Sequence, residues 1–337
     1  MKQTGLWLLG MMLALSGCGK RQAPMEAVAP PPAPAPAPAA TTESPEPPAS
    51  KPKISLSGAW ALYPMAVKWA EEYQKTRPGI AVEVSAGGAG KGMADALAGA
   101  VDLGMVSREI NQAEKDKGAW WVSVVKDAVL PTLNGANPAA PAIMKRGLTR
   151  DEFREIWIAG TLTKWNTFAE DTAPNPVRPY TRSDACGAAE TWAKYLGGNQ
   201  EDLKGTGVYG DPGLAQAVRK DPLAVGFNNL SSAYDLKTGK PVKGIRVAPI
   251  DLNGNRQIDP GEDFYATQQD AAKAIADGRY PSPPARPLHL VSRGKPEQKE
   301  VVDFLVWVLT DGQAFVMESG YINLPEEKLK EDLKKLE

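Results

Sequence analysis

The residues best suited to bind a ligand are one arginine and the starts of three predicted helices. Arg182 follows a predicted strand and stands shortly before Gly187, which opens a helix, and two further loops, 58–63 and 85–92, precede helices. The first N–H groups of a helix are unpaired and lie at the positive end of its dipole. Arginine adds a permanent charge and forked donors that suit phosphate-like oxygens. If the three helix starts face one cleft, they form a cradle for a tetrahedral oxyanion; the alternative is that Arg182 is a solvated surface residue.

A second polar cluster, Asp251 to Glu262, has the spacing of a calcium-binding loop, and we call it the acidic loop. Oxygen-bearing side chains fall at loop positions one, three, five, nine and twelve, and an apolar residue falls at position eight, which resembles an EF-hand. Arg256 occupies the position usually held by glycine. The predicted Ca²⁺ ligands are Asp251, Asn253, Asn255, Gln257, Asp259 and Glu262. The alternative is a turn held by its own side-chain hydrogen bonds.

The side chains that most enzymes need are scarce. Cys186 precedes a glycine-opened helix, and a cysteine at a helix N-terminus is expected to have a lowered pKa. A nucleophilic role would require a base, but His289 is the only histidine and nothing in the sequence places it beside Cys186. A single histidine also excludes a histidine-rich metal site. We therefore predict a binding protein that has no catalytic role and requires no cofactor.

The first residues indicate the compartment. Residues 1–17 have a basic start and an apolar run from Leu6 to Leu15, typical of a signal peptide and too short to span a bilayer. The run ends in Leu15-Ser16-Gly17-Cys18, which resembles the lipobox of bacterial lipoproteins and implies a lipid on the Cys18 thiol. By the same resemblance, Gly19 favours outer-membrane sorting if the host has an outer membrane. The alternative is an ordinary secretory signal that contains a cysteine.

The segment that follows, 18–52, is dominated by Pro and Ala, a composition that cannot bury a core and that favours extended conformers. We predict a semi-rigid linker. The net charge of the chain is −1, which argues against a nucleic-acid partner. The only cysteines are Cys18 and Cys186, so acylation of Cys18 leaves Cys186 without a disulfide partner.

Strands and helices that must position these residues alternate along the rest of the chain. Predicted strands cover residues 54–58, 80–85, 101–106, 126–134, 177–181, 223–228 and 244–250. Predicted helices cover residues 63–75, 93–98, 149–158, 187–196, 299–309 and 313–319. This rhythm predicts an α/β architecture with parallel strands and right-handed crossovers.

Three motifs in this order resemble the phosphate-binding proteins of ABC importers. They are Gly58 to Pro64 with Lys68-Trp69, Ser85 to Gly92 followed by Val101 to Arg108, and Arg182 to Gly187. The resemblance covers residues 53–325 and implies an α/β, two-lobe type II periplasmic-binding-protein fold with its ligand cleft between the lobes. The implied limits are 53–135 with 233–325 for lobe one and 136–232 for lobe two, followed by a charged C-terminal helix at 326–337.

The resemblance also implies a function. It predicts a substrate-binding lipoprotein of an ABC importer, located on the periplasmic side of the cell envelope, with inorganic phosphate or a related anion and permease subunits as partners. The implied ligand-binding residues are Ala59, Trp60, Ala61, Gly88, Ala89, Gly90, Ser107, Arg182, Cys186, Gly187 and Ala188.

Several of these positions depart from the family pattern. Hydroxyl side chains are replaced at the first loop, at Ala89, and at Cys186 and Ala188, and Ser107 stands where the family has a proton-accepting aspartate. Each lost donor costs about 1 kcal/mol if the ligand oxygen stays buried and unpaired. Phosphate remains the first prediction. A larger ligand with an apolar part resting on Trp60, or an envelope sensor built on the same fold, are the alternatives.

Overall fold

The predicted alternation of strands and helices is present in the structure. This computed structural model describes residues 52–170 and 172–337. Its strands are β1 (Lys53–Gly58), β2 (Ala81–Ala86), β3 (Leu103–Val106), β4 (Ala119–Asn134), β5 (Leu148–Thr149), β6 (Arg178–Arg182), β7 (Thr206–Val208), β8 (Ala224–Asn229), β9 (Ile245–Val247), β10 (Ile250–Asp251) and β11 (Ala285–Arg293). Its helices are α1 (Tyr63–Thr76), α2 (Ala89–Ala98), α3 (Gln112–Asp116), α4 (Ala140–Arg146), α5 (Arg150–Arg154), α6 (Gly187–Leu196), α7 (Asp211–Lys220), α8 (Leu230–Ala233), α9 (Gln268–Ala276), α10 (Lys299–Leu309) and α11 (Glu326–Lys334).

One mixed sheet runs through the described residues in the order β2-β1-β3-β11-β4-β8-β6-β7, with β9 also paired to β4. Strand β1 is parallel to β2 and β3, and β6 is parallel to β7 and β8. The long strands β4 and β11 are antiparallel to each other. Parallel β-α-β units therefore lie at both ends of the sheet, and their loops at the carboxyl ends of strands are the usual place for ligands.

Strands β4 and β11 connect two hydrophobic cores. The first core is built from buried residues of 54–125 and 288–336, and the second from buried residues of 128–285 with Ile322. We call the parts built on these cores the first lobe and the second lobe. Both strands change cores at the same level, where Arg286 is registered with Asp127. The α/β, two-lobe architecture predicted from the sequence is confirmed.

The observed limits of individual helices and strands agree closely with the predicted ones where the local sequence signals were strong. Helix α6 and helix α10 have the predicted limits, and Thr149 caps α5 through a capping box with Glu152. The predicted strand at 244–250 is divided into β9 and β10, because Pro249 lacks an N–H group and Ala248 donates instead to the Pro131 carbonyl. The predicted helix at 313–319 was wrong. Residues Asp311–Phe315 form a 3-10 helix, in which the Gly312 carbonyl accepts from the Trp69 ring at 2.8 Å.

The lobe limits differ from the predicted ones. Buried residues between 233 and 285 pack in the second core rather than with lobe one. The reason is that β9 pairs with β4 at residues 132–134 and that the apolar face of α9 packs on the same core.

The C-terminal helix α11 packs against β4, since the carboxylate of Asp332 is buried and accepts from the Ser123 amide at 3.0 Å.

The described residues from Pro52 to Glu337 belong to one compact unit. The predicted signal peptide, Cys18 and nearly all of the 18–52 linker lie outside the described residues. Among the helices that are described, none combines the length and the apolar character that a membrane crossing requires.

Candidate anion-binding cleft

The first predicted loop joins β1 to α1. The Ala59 amide donates to the Met105 carbonyl at 2.8 Å, and the Ala59 carbonyl accepts from the amides of Leu62 and Tyr63, which begins the helix. In the described part of the chain, the amides of Trp60 and Ala61 and the buried Trp60 Nε1 have no acceptor. The Trp60 ring packs edge-on against Tyr209 of the second lobe, with 6.0 Å between ring centroids.

The second predicted loop precedes α2 and contacts the second lobe directly. The Gly90 amide donates to the Ala185 carbonyl at 3.2 Å. A Cβ on Gly88 would lie 2.9 Å from that carbonyl oxygen, and a Cβ on Gly90 would lie 2.9 Å from the Ala185 methyl group. Glycine is therefore required for this close approach. Ala89 is the first residue of α2 and is buried.

The third predicted loop leads into α6. Cys186 is its N-cap residue, with the thiol accepting from the Ala189 amide at 3.4 Å. Gly187 is pressed against Ser107, because a Cβ at Gly187 would collide with both the carbonyl and the hydroxyl oxygen of Ser107. Within residues 52–170 and 172–337, the amides of Gly187 and Ala188 have no acceptor. The structure thus brings the starts of α2 and α6 and the end of β3 together.

Arg182 lies in the middle of this arrangement, and its charge is already compensated. Its side chain is fully buried; Nε and Nη2 donate to Asp184 at 2.9 and 2.6 Å, and Nη1 donates to Asp211. Burial lowers the pKa of Arg182, but Asp211 and Asp184 raise this pKa by a larger amount, so the net shift is upward. Burial raises the pKa of Asp211, and Arg182 offsets part of that rise. Arg182 is not a solvated surface residue.

Three polar residues that the sequence did not single out, namely Asp211, Asn229 and Arg286, extend this arrangement. Asn229 donates through Nδ2 to Asp211, and its Oδ1 accepts from Arg286 Nη2 at 2.5 Å. Arg286 Nε donates to the Ser107 carbonyl at 2.9 Å. We call Arg182, Asp184, Asp211, Asn229 and Arg286 the cleft network. Strand β11 contains two arginines, of which Arg286 is buried and Arg293, at the end of the strand, is exposed.

Ion pairs cross between the lobes beside the network. Arg108 donates to both oxygens of Glu114 at 2.9 and 2.6 Å, and its Nε lies 3.0 Å from Glu190 on α6. Lys194 of α6 lies 2.8 Å from Glu109 of the first lobe. The Glu114 hydrogen bond is the main cause that raises the pKa of Arg108. Arg108 thus pairs with carboxylates of both lobes, Glu114 and Glu190.

The lowered pKa predicted for Cys186 was wrong. Burial raises the pKa of the Cys186 thiol to about 12, although Arg182 acts in the opposite direction. His289 is buried as well, lies 3.1 Å from the Ser123 hydroxyl, and has its pKa lowered by burial to about 3. A protonated thiol and a histidine engaged with Ser123 give no nucleophile and base pair.

In the acidic loop, the carboxylates bind their own backbone. Asp251 accepts from the amides of Gly254 and Arg256, and Glu262 accepts from those of Leu252 and Asp259. Side-chain oxygens of Asn253, Asn255 and Asp259 accept further hydrogen bonds within the loop. Gln257 takes part only through its backbone N–H, which donates to Asn255. The part of the chain that is described contains no group of three or more His, Cys, Asp or Glu side chains that could hold a metal ion. The observed geometry is that of the self-bonded turn.

Comparisons with known proteins bear on the family and the fold. The PBP superfamily domain matches residues 33–311. The phosphate-binding protein PstS of Methanocaldococcus jannaschii is 27% identical over 316 residues, covering 78% of this chain and 80% of that protein. PstS of Bacillus subtilis is 23% identical over 282 residues, covering 83% of each.

Solved structures show the same fold. An ABC-type phosphate transport receptor from Vibrio cholerae is 19% identical and superposes with a TM-score of 0.59 over 81% of this chain and 100% of that chain. A structure described as a phosphate ABC transporter substrate-binding protein with bound phosphate, from Clostridium perfringens, has 19% identity and a TM-score of 0.66 over the same shares. At this identity the likeness establishes the two-lobe binding-protein fold.

Proposed function

The chain belongs to the PBP superfamily, and on that premise we propose that it is the substrate-binding protein of a phosphate importer, a solute-binding protein and not an enzyme. Its curated relatives from Methanocaldococcus jannaschii and Bacillus subtilis are named phosphate-binding proteins. ABC permease subunits are the corresponding protein partners.

One observation carries the proposal. Gly187 at the start of α6 lies against Ser107 of the other lobe, and the amides of Gly187 and Ala188 have no acceptor among the described residues. The loop that contains Gly187 also carries Arg182 and contacts the start of α2 through the Ala185 carbonyl. Unpaired amides at helix starts, held in a closed interlobe cleft, are suited to a small oxyanion. Because hydroxyl side chains are missing from several positions, backbone groups provide most of the donors. The ligand-binding residues remain the set predicted from the sequence.

Ligand binding is proposed to close the two lobes about the level where β4 and β11 change cores. The first lobe then comprises residues 53–126 and 287–337, and the second comprises 127–286. Hinge motion of this kind brings donors from both lobes onto one ligand. The contacts of Gly88 and Gly90 with residues 184–185 represent the closed arrangement.

The location follows from the N-terminal motifs. We propose that the protein is extracytoplasmic and anchored through a lipid on Cys18, with residues 18–52 as the spacer. Intact-mass measurement of the membrane fraction tests the anchor, because Cys18→Ser removes the lipid mass and releases the protein. An unchanged membrane fraction in Cys18→Ser would rule out lipidation at this residue.

Calcium binding by the acidic loop is a separate proposal. Asp251 and Glu262 are buried and already face the interior of the loop, and Arg256 has a positive φ of 61°, as the glycine of such loops has. Occupation by Ca²⁺ would have to replace hydrogen bonds to the backbone by metal–oxygen contacts. Calorimetric titration with calcium, using magnesium as the comparison ion, tests it.

The experiment that tests the phosphate assignment is calorimetric titration of the compact unit, Ser50–Glu337, with inorganic phosphate and with sulfate as competitor. Binding at micromolar concentration or tighter, with sulfate excluded, is the expected result. Absence of heat from protein shown by circular dichroism to be folded would refute phosphate as the ligand.

A further inference from the structure

We infer that Arg286, on the strand β11 that connects the lobes, is a second cationic contact of the anion site. The inference rests on the proposed function, because it concerns the same site. In this assignment the free Nη1 of Arg286 donates to the ligand, while Arg182 mainly holds the loop before α6 in place through Asp184 and Asp211.

The two arginines of the cleft network differ in what they are bonded to. Arg182 has a carboxylate on each of its three nitrogens, from Asp184 and Asp211. Arg286 donates Nε and Nη2 to neutral oxygens, those of the Ser107 backbone and the Asn229 amide. Its nearest carboxylate, Asp127, is 3.5 Å away. Arg286 therefore carries the less compensated charge of the pair.

Arg286 also has a nitrogen without a partner. Its residue is only 5% exposed, and Nη1 is buried with no acceptor among residues 52–170 and 172–337. A buried unpaired donor is costly, and native structures usually satisfy it with protein, water or ligand. An oxygen of a bound anion would supply the missing acceptor. It would also balance the guanidinium charge.

The position of Arg286 connects it to the cleft. Nε holds the carbonyl of Ser107, the residue pressed against the start of α6 at Gly187. Through Asn229 and Asp211 it is linked to Arg182 by consecutive hydrogen bonds. Beside the cleft, Arg286 also lines a cavity of about 180 Å³ in which the cations Arg108 and Lys194 are accompanied by the carboxylates of Glu109 and Glu190.

Asp127 provides the sharpest test, since it is the carboxylate that opposes Arg286. Asp127→Asn keeps the shape and removes the charge, so more of the guanidinium field acts on an anion. We expect phosphate to bind about three- to tenfold more tightly to this variant, measured by calorimetry on Ser50–Glu337. Asp332→Asn, a fully buried aspartate on α11 in the first lobe, is the matched control and should leave the phosphate Kd unchanged.

The double variant Asp127→Asn/Arg286→Gln avoids a buried carboxylate without a partner and therefore keeps the fold testable. Its phosphate Kd should be about tenfold or more weaker than that of Asp127→Asn. A purely structural role predicts lower melting temperatures for both variants with no change of Kd, and that result overturns the inference. Binding of a water molecule alone at Nη1 predicts the same unchanged Kd.

Sulfate titrations separate the two hypotheses. If the unmodified protein binds phosphate and neither variant changes the Kd, the inference fails and the proposed function stands. If it binds no phosphate but Asp127→Asn binds sulfate more tightly than the unmodified protein does, the function fails and Arg286 remains an anion contact. If no variant binds either anion, both are refuted.

Discussion

The cleft network and the acidic loop are both rich in buried polar contacts, but they obtain their partners in different ways. Apart from the local pair of Arg182 with Asp184, the network joins residues of β6, α7, β8 and β11, with sequence separations of 18, 29 and 57 between bonded partners. In the acidic loop, the carboxylates of Asp251 and Glu262 are satisfied by amides no further than ten residues away. The network depends on how distant segments are placed, whereas the loop depends only on itself.

This difference predicts where each region acts. A change in lobe closure alters the distances within and beside the network. The reason is that Ser107 of the first lobe accepts from Arg286, and that Gly90 of the first lobe donates to Ala185 in the loop before α6. It leaves the acidic loop unchanged. Substitutions in the network should therefore change both ligand binding and stability, and substitutions in the loop should change stability alone.

The largest effect is expected for Arg182→Ala. The substitution leaves the carboxylates of Asp184 and Asp211 close together, buried and without their cation. We expect the free energy of unfolding to fall by about 3–5 kcal/mol and phosphate binding to weaken at least about 100-fold. Urea unfolding and calorimetry measure the two quantities.

Arg178→Ala is the matched control on the same strand. Its side chain is 55% exposed and pairs with Asp221 at 3.2 Å, so its loss should cost no more than about 0.5 kcal/mol and leave binding unchanged. Equal effects of the two substitutions would show that the buried network has no special role.

A smaller effect, confined to stability, is expected for Asp251→Ala. The carboxylate accepts from two amides and is buried, so its removal leaves both donors unsatisfied. We expect a loss of about 1–3 kcal/mol in the free energy of unfolding, with the phosphate Kd unchanged within about twofold. A large change in Kd would mean that the loop is coupled to the cleft.

The same contrast explains what could be predicted from the sequence. The helix start at Gly187 and the strand end near Arg182 are set by local spacing, so they were predicted at nearly the right residues. Helix α2 begins at Ala89, four residues before the predicted start at Met93, because the glycine-rich segment 87–92 was taken as a turn. Asp211 and Arg286 were missed, because each acquires its role through contacts made only in the folded chain.

Two errors have the same origin. The pKa of Cys186 was expected to fall because a helix start favours the thiolate, but burial of this residue outweighs that local effect. The lobe limits failed at 233–285, where pairing of β9 with β4 decides which core the segment joins. Local chemistry is readable from the sequence, whereas burial and long-range pairing are not.

Glu190→Gln tests the ion pairs between the lobes and should have a modest effect. Glu190 faces Arg108 across the lobes at 3.0 Å, and burial raises its pKa although Arg108 and Lys194 lower it. Loss of its charge should weaken phosphate binding about two- to fivefold, with a smaller dependence of Kd on salt.

Glu72→Gln removes a carboxylate that pairs with Lys68 and Lys75 inside α1, so it is the control for an ion pair within one lobe. The phosphate Kd of this variant should equal that of the unmodified protein at every salt concentration. An identical salt dependence in the Glu190 and Glu72 variants would argue against ionic closure.

The smallest effect is expected for Arg256→Gly, and it goes in the stabilising direction. Arg256 is the non-glycine residue of the described chain that has a positive φ, 61°, and its side chain is exposed. A left-handed conformation costs an L-residue about 1–2 kcal/mol, and glycine loses about 0.5–1 kcal/mol through its greater freedom in the unfolded chain. The difference predicts a gain of about 0.5 kcal/mol in the free energy of unfolding.

Gly254→Ala is the opposite test in the same loop. Gly254 has a φ of 76°, and a Cβ there would meet no atom within 4 Å, so only the backbone conformation opposes the substitution. Urea unfolding should show a loss of about 1 kcal/mol in the free energy of unfolding for this variant.

Calcium titration tests the contrast between the cleft network and the acidic loop further. If the loop binds Ca²⁺, the ion should stabilise Arg256→Gly more than the unmodified protein, because glycine at the sharp turn favours tighter binding and tighter binding to the folded state gives more stability. If Ca²⁺ stabilises neither protein, the acidic loop is a turn that holds itself together without a metal.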